Sequence, residues 1–189
     1  MDTIIKMFEH LDWANLRILE SLKTTGEQNS AAKRLLSHTL LAEEVWFNRI
    51  KGLDHNPHGI WTELSLTECS NLMEKNKQGF SNLLMGLSEI KAEDLIVYKN
   101  STGKEFSTSV KDILIHVALH GQYHRGQINR YLREEGFEPV HVDKPIGHYF
   151  TVSMEKCPVG PPILILRKSQ IPLTPFRFNH FLGNNVVSS

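Results

Sequence analysis

The chain has 189 residues, and its 21 basic side chains balance 21 acidic ones, so no global field draws it to nucleic acid or an anionic membrane. Its 40% hydrophobic and 22% charged content describes a soluble globular protein with core enough for one ordinary domain. The opening "MDTIIKMFEH" has no basic stretch ahead of an apolar block, and no apolar run is long enough to span a bilayer, so neither a signal peptide nor a membrane span is expected. Cys69 and Cys157 lack metal-type spacing and read as free thiols of a reducing cytoplasm.

The first helix is expected over Thr3 to Leu22, capped by Asp2, with Ile4, Leu11, Ile18 and Leu22 on one stripe. The second follows a Ser30 cap and runs through "AAKRLLSHTLLAEEVWFNRIKG" to Gly52. Next comes "LDHNPHGIW", a loop by its Asn-Pro and Gly content. The third helix starts near Thr67, where Ser65 and Glu68 have capping-box spacing, and ends about Leu87. In "DLIVYKNSTGKEFSTSV" two β-prone runs flank residues 100–103, which predicts a short hairpin or irregular loop. The fourth helix spans Ser109 to Glu135, with Asp112 in its first turn and Gly136 behind it.

Four amphipathic helices joined in this way predict an all-α four-helix bundle over residues 1–149. Residues 150–189 behave differently, because seven of the eight prolines fall at or after Pro139 and "CPVGPPILILRKSQIPLTPF" cannot form a regular helix. An irregular or disordered C-terminal segment is expected there, with one short strand at Ile163 to Leu166 and a frayed "GNNVVSS" end.

Chemistry concentrates in "HVALHGQYHRGQ", where His116, His120 and His124 stand four residues apart. At about 100° per residue, His120 and His124 share the stripe of Ile113, Val117, Ile128 and Tyr131, whereas His116 falls about 60° to one side. An i, i+4 pair of imidazoles on an inward face can chelate one metal ion, although satisfied core histidines are commoner than ligands. A third histidine on a core-facing stripe strengthens the metal reading: His38, with Leu35, Ala42, Val45 and Trp46 on helix two. Burying three imidazoles without partners is costly, and a shared cation satisfies one nitrogen on each. Gly121 stands where an HExxH metalloprotease has its glutamate, which disfavours that chemistry.

"HGQYHRGQINRYL" resembles the signature of the DinB-like (DinB/YfiT) metal-binding proteins. So do "HLDWANLRILESL" and "LLSHTLLAEEVWFNRIKG", in the same order along residues 1–149. The resemblance implies an up-down-down-up bundle, a homodimer, and a metal triad mapping onto His38, His120 and His124. It also implies a divalent ion (zinc, nickel or iron) and thiol S-transferase activity on low-molecular-weight thiols such as bacillithiol. The proline-rich stretch after Tyr149 does not match the family's C-terminal segment.

Three neutral imidazoles leave a cation its full charge and an open coordination position. The preferred reading is a metal-dependent thiol transferase or detoxification enzyme acting on a small-molecule substrate in the cytoplasm. The alternatives are a hydrolase that activates water and a non-catalytic metal-binding stress-response module. Nucleic acid and membrane are not expected partners. No catalytic side chain is identified, since Glu43 and Glu44 turn away from His38. His116 reads as a bundle-edge histidine or a supporting group, and His55 and His58 as exposed loop residues. Asn15, on the inner stripe of helix one, either lines the pocket or bonds helix to helix. Arg125, on another face from the histidines, reads as a salt bridge or dimer contact. Gly121 and Gly126 read as points of close helix approach, and Trp13 as a loop contact or dimer face.

Overall fold

The stripe at Ile4, Leu11, Ile18 and Leu22 is the buried side of α1, which the computed structural model places at Asp2–Thr25. The structure describes residues 1–25, 29–53, 59–100 and 102–143, together with strands 150–155 and 163–168. Helices α2 (Ser30–Ile50) and α3 (Leu66–Gly86) follow, then the short α4 (Glu89–Ala92), which no periodic signal announced. Strands β1 (Leu95–Lys99) and β2 (Glu105–Ser109) lead into α5 (Val110–Glu134).

Local chemistry sets most of these ends. The expected capping box is present: Ser65 accepts from the Glu68 N–H while the Glu68 side chain accepts from the Ser65 N–H. The α2 cap is corrected by one residue, since Asn29 rather than Ser30 holds that position, and it makes no side-chain capping bond. Gly136, past the end of α5, has φ +80°, a left-handed conformation that glycine adopts without a Cβ penalty. The expected hairpin forms with Leu95 opposite Ser109 and Lys99 opposite Glu105. Ser109 then caps α5 by accepting from the Asp112 N–H at 3.1 Å. Replacing Ser109 with Ala is expected to cost about 1 kcal/mol, read as a lower urea midpoint at unchanged m-value.

The packing partners give the helix directions. Phe47 meets Phe80 while Ser37 meets Cys69, so α2 and α3 run parallel. Trp46 meets His116 while His38 meets His124, so α2 and α5 run antiparallel. The N-terminal half of α1 packs with the C-terminal half of α3 and the start of α5. Its C-terminal half packs with the start of α2 and the end of α5. The order is therefore up-down-down-up, as the family resemblance implied.

Two apolar cores are stacked along this bundle. One gathers Ile4, Phe8, Leu11, Phe80, Ile113 and Val117, the other Ile18, Leu22, Leu36, Leu40, Ile128 and Leu132. Between them, at the level of Asn15, Glu43, Asn76 and Arg125, lies a buried polar layer. Cys69 is a buried free thiol, as expected, while Cys157, His55 and His58 lie outside the described residues. Among the described residues, no helix is long and apolar enough to cross a membrane.

The chain divides into two compact units, Met1–Tyr149 and Phe150–Ser189. In the second, β3 (Phe150–Glu155) pairs antiparallel with β4 (Ile163–Lys168). The short strand expected at Ile163 to Leu166 is thus part of a two-stranded pair, and its partner strand was not foreseen.

Candidate metal centre

Because α2 and α5 run antiparallel, His38 comes to face His120 and His124, with ring centroids 5.3 and 4.7 Å away. One ligand nitrogen from each of the three lies within 4.8 Å of the others, and among the described residues this cluster could hold a metal ion. The Nε2 atoms of His120 and His124 are 3.1 Å apart. Around a tetrahedral zinc with Zn–N bonds of about 2.0–2.1 Å, ligand nitrogens stand about 3.3 Å apart, so ring shifts on the rotamer scale would close the set.

The hydrogen bonds behind the rings decide which nitrogens are available. The Ile60 carbonyl lies 2.8 Å from His38 Nδ1 and can only accept, so Nδ1 carries the hydrogen and the neutral ring presents its lone pair at Nε2. Gln127 Oε1 accepts in the same way from His124 Nδ1 at 2.7 Å, and the Gln127 amide is held by donating to the Tyr123 hydroxyl. Two rings are thereby locked in the tautomer a metal requires. Gln127→Leu is expected to weaken metal binding by about 10–100-fold with all three ligands present, as measured by competition with a chromophoric chelator.

Burial strengthens this preparation. Desolvation lowers the pKa of His38, and desolvation with the neighbouring imidazoles lowers that of His120 to about 4. These two rings are thereby held toward the neutral form, the one that binds metal. His38 and His124 are buried and His120 half-buried, so solvent reaches the cluster from the His120 side. The Trp61 indole lies flat on His38, with centroids 3.7 Å apart and planes 7° from parallel. Residues 60 and 61 therefore grip His38 by its ring edge and its face together.

The remaining candidates sort cleanly. His116 packs edge-on to Trp46 at 5.3 Å and lies outside the ligand cluster, as a bundle-edge histidine does. Asn15 does not touch the histidines: its amide donates to Glu43 Oε1 at 2.9 Å and its oxygen accepts from Arg125 Nη1 at 2.9 Å. The helix-to-helix reading is the one that holds. Arg125 is corrected, since it is only 1% exposed and belongs to the polar layer. Gly121 is corrected as well. A Cβ there would sit 2.8 Å from Arg125 Nη1, so the glycine makes room for a guanidinium of its own helix. Nothing lies within 4 Å of a Cβ built at Gly126, so no helix approaches there. Trp13 packs partly buried against the second core.

Neither carboxylate of α2 serves the cluster. Glu43 accepts from Asn15 and Asn76, and Glu44 accepts from Lys75 Nζ at 2.6 Å. The residues that sequence reasoning missed are Ile60, Trp61 and Gln127. Gln127 was within reach, being three residues beyond His124 on the same helix face. Ile60 and Trp61 lie in a loop whose path no periodicity encodes.

A family model described as "DinB family" matches residues 2–156, which carries the match past Tyr149 into β3. The chain is also similar to "Protein DinB" of Bacillus subtilis (strain 168), at 26% identity over 170 residues, covering 79% of this chain and 96% of that protein. With the bundle, its helix order and three converging histidines, the match over most of its length shows that this chain belongs to the DinB family.

Proposed function

We propose that the protein is a metal-dependent thiol S-transferase serving detoxification, with a divalent ion held by His38, His120 and His124. The observation that carries this reading is the anchoring of His38 and His124 through Nδ1, which leaves both Nε2 lone pairs free for a cation, with His124 Nε2 3.1 Å from His120 Nε2. A divalent ion bound there would lower the pKa of a substrate thiol and present its sulfur as a thiolate. The three neutral imidazoles leave that charge uncompensated, and zinc, nickel and iron all suit such donors. A sulfur–carbon bond would then form to an electrophile as its bond to the leaving group broke, and the thiol proton would depart with that group. Trp61, half exposed at 50%, supplies an aromatic wall beside His38 for the reactants.

The engagement of Glu43 and Glu44 favours this reading over water activation. A hydrolase of this design gains from a general base beside the attacking water, and both carboxylates of α2 are committed elsewhere. Thiol capture requires none. The family resemblance further supports a cytoplasmic homodimer, which sedimentation at micromolar concentration would check.

The test is to load tag-free protein with zinc, nickel or iron and supply a low-molecular-weight thiol with monochlorobimane. Metal-dependent formation of the fluorescent conjugate, lost in His124→Ala, is the expected result. A metal-loaded protein that neither binds thiol nor accelerates conjugation would sink the transferase reading and favour a non-catalytic metal-binding module.

A further inference from the structure

On the far side of α5 from the histidines, a cavity of about 370 Å³ is bounded by α1, α5 and the segment at Val142 and Asp143. Ala118, Gln122 and Arg125 share this face of α5, turned by well over 90° from His120 and His124 at about 100° per residue. Ala118, Leu119 and Val142 supply apolar wall, and His10, Gln122 and Arg125 supply polar groups. The volume lies in the range of small-molecule sites, about 300–1,000 Å³. At about 30 Å³ per water-sized group it accommodates roughly a dozen non-hydrogen atoms.

Arg125 gives this cavity its chemistry. Its guanidinium is a cation at neutral pH. Its Nη1 and Nη2 donate to the neutral amides of Asn15 and Gln122, at 2.9 and 3.2 Å, and its Nε has no partner. Among the described residues no salt bridge joins it to a carboxylate, and Glu43, bonded to the same Asn15, acts on it through its charge without direct contact. A guanidinium carries five donors in a fork that fits a carboxylate. Here that fork borders an apolar cavity with its charge unmatched by direct contact.

We propose that this cavity binds a small monocarboxylic acid, with the carboxylate at the Arg125–Gln122–His10 end and an apolar tail against Ala118, Leu119 and Val142. Asp143 on the lining disfavours a second negative charge. The site is separate from the histidine cluster and does not depend on the proposed transferase activity.

The experiment uses full-length protein freed of metal with a chelator, titrated calorimetrically with hexanoate and with hexanamide. Hexanoate is expected to bind saturably and at least about 10-fold more tightly than the amide, because only the acid makes charge-assisted hydrogen bonds. That binding persists in His124→Ala and falls at least about 10-fold in Gln122→Leu and in Ala118→Phe. Gln122 is exposed, so its variant tests the site even where Ala118→Phe disturbs the fold. Equal binding of acid and amide would overturn the proposal, as would loss in His124→Ala, retention in Gln122→Leu or an absence of saturable binding.

Discussion

His124→Ala is expected to fold as the wild type does and to bind divalent metal more weakly by more than about 100-fold, beyond the usual effect of losing an outer-shell partner. His124 is the best-prepared ligand of the three, being buried, fixed at Nδ1 by Gln127 and 3.1 Å from His120 Nε2. Removing it leaves a single imidazole on each helix, His38 and His120, too few to hold a divalent ion against water. Elemental analysis of the purified proteins before and after reloading reads the result directly. Circular dichroism and the melting temperature of the metal-free forms separate loss of a ligand from loss of fold. Metal retained at one equivalent in the variant would mean that the cluster is a set of packed core histidines.

The second large effect lies in the polar layer. Arg125→Ala is expected to destabilise the bundle by about 3 kcal/mol near pH 8. It leaves Asn15 Oδ1 without its donor, opens a void beside Gly121, and removes the charge that helps Glu43 ionise. Glu43 makes this cost depend on pH. Desolvation is the main influence on its carboxyl, outweighing the bonds from Asn15 and Asn76 and the Arg125 charge, and raises its pKa from 4.5 to about 7. A carboxyl with a raised folded-state pKa stabilises the fold below its unfolded value, and that contribution fades as pH rises through the folded one.

The stability of Glu43→Gln relative to wild type should therefore improve by as much as about 3 kcal/mol between about pH 4.5 and about pH 8. The cost of Arg125→Ala should shrink toward low pH, where Glu43 is neutral with or without its cation. The histidines give the opposite trend, since His38 and His120 have lowered pKa values and the stability they contribute is lost as pH falls below their unfolded range. Comparing each variant with wild type at the same pH cancels that term. Urea midpoints across this range check both signs, and a difference for Glu43→Gln that is flat with pH would show that Glu43 is ionised in the fold throughout.

The four long helices, the hairpin between the third and fourth, and the Ser65–Glu68 capping box were legible in the sequence because each follows from local chemistry. Periodicity near 3.6 selects the buried face, as at Ile4, Leu11, Ile18 and Leu22. A serine three residues ahead of an acidic side chain marks a start, and a glycine that can take positive φ marks an end. The metal candidates were legible for the same reason: His120 and His124 share a face by spacing alone, and His38 lies on the inner stripe of its own helix. The up-down-down-up helix order came instead from resemblance, and the packing agrees with it.

What residue spacing does not encode is which side chains meet across helices. Arg125 looks like a surface residue because it lies off the histidine stripe and carries a charge. Asn15, Glu43 and Asn76 come from three other chain segments, and only their assembly makes its burial tolerable. Gly121 acquires its reason from the same assembly, since the atom it admits is the guanidinium four residues on. Ile60 and Trp61 reach His38 because the segment just ahead of α3 lies against α2, a contact that neither residue's spacing encodes. Spacing along the chain thus determined which faces are apolar and where ligands can line up. Tertiary structure alone decided which buried polar groups satisfy one another, because a hydrogen bond between distant segments depends on their packing and leaves no period in either sequence.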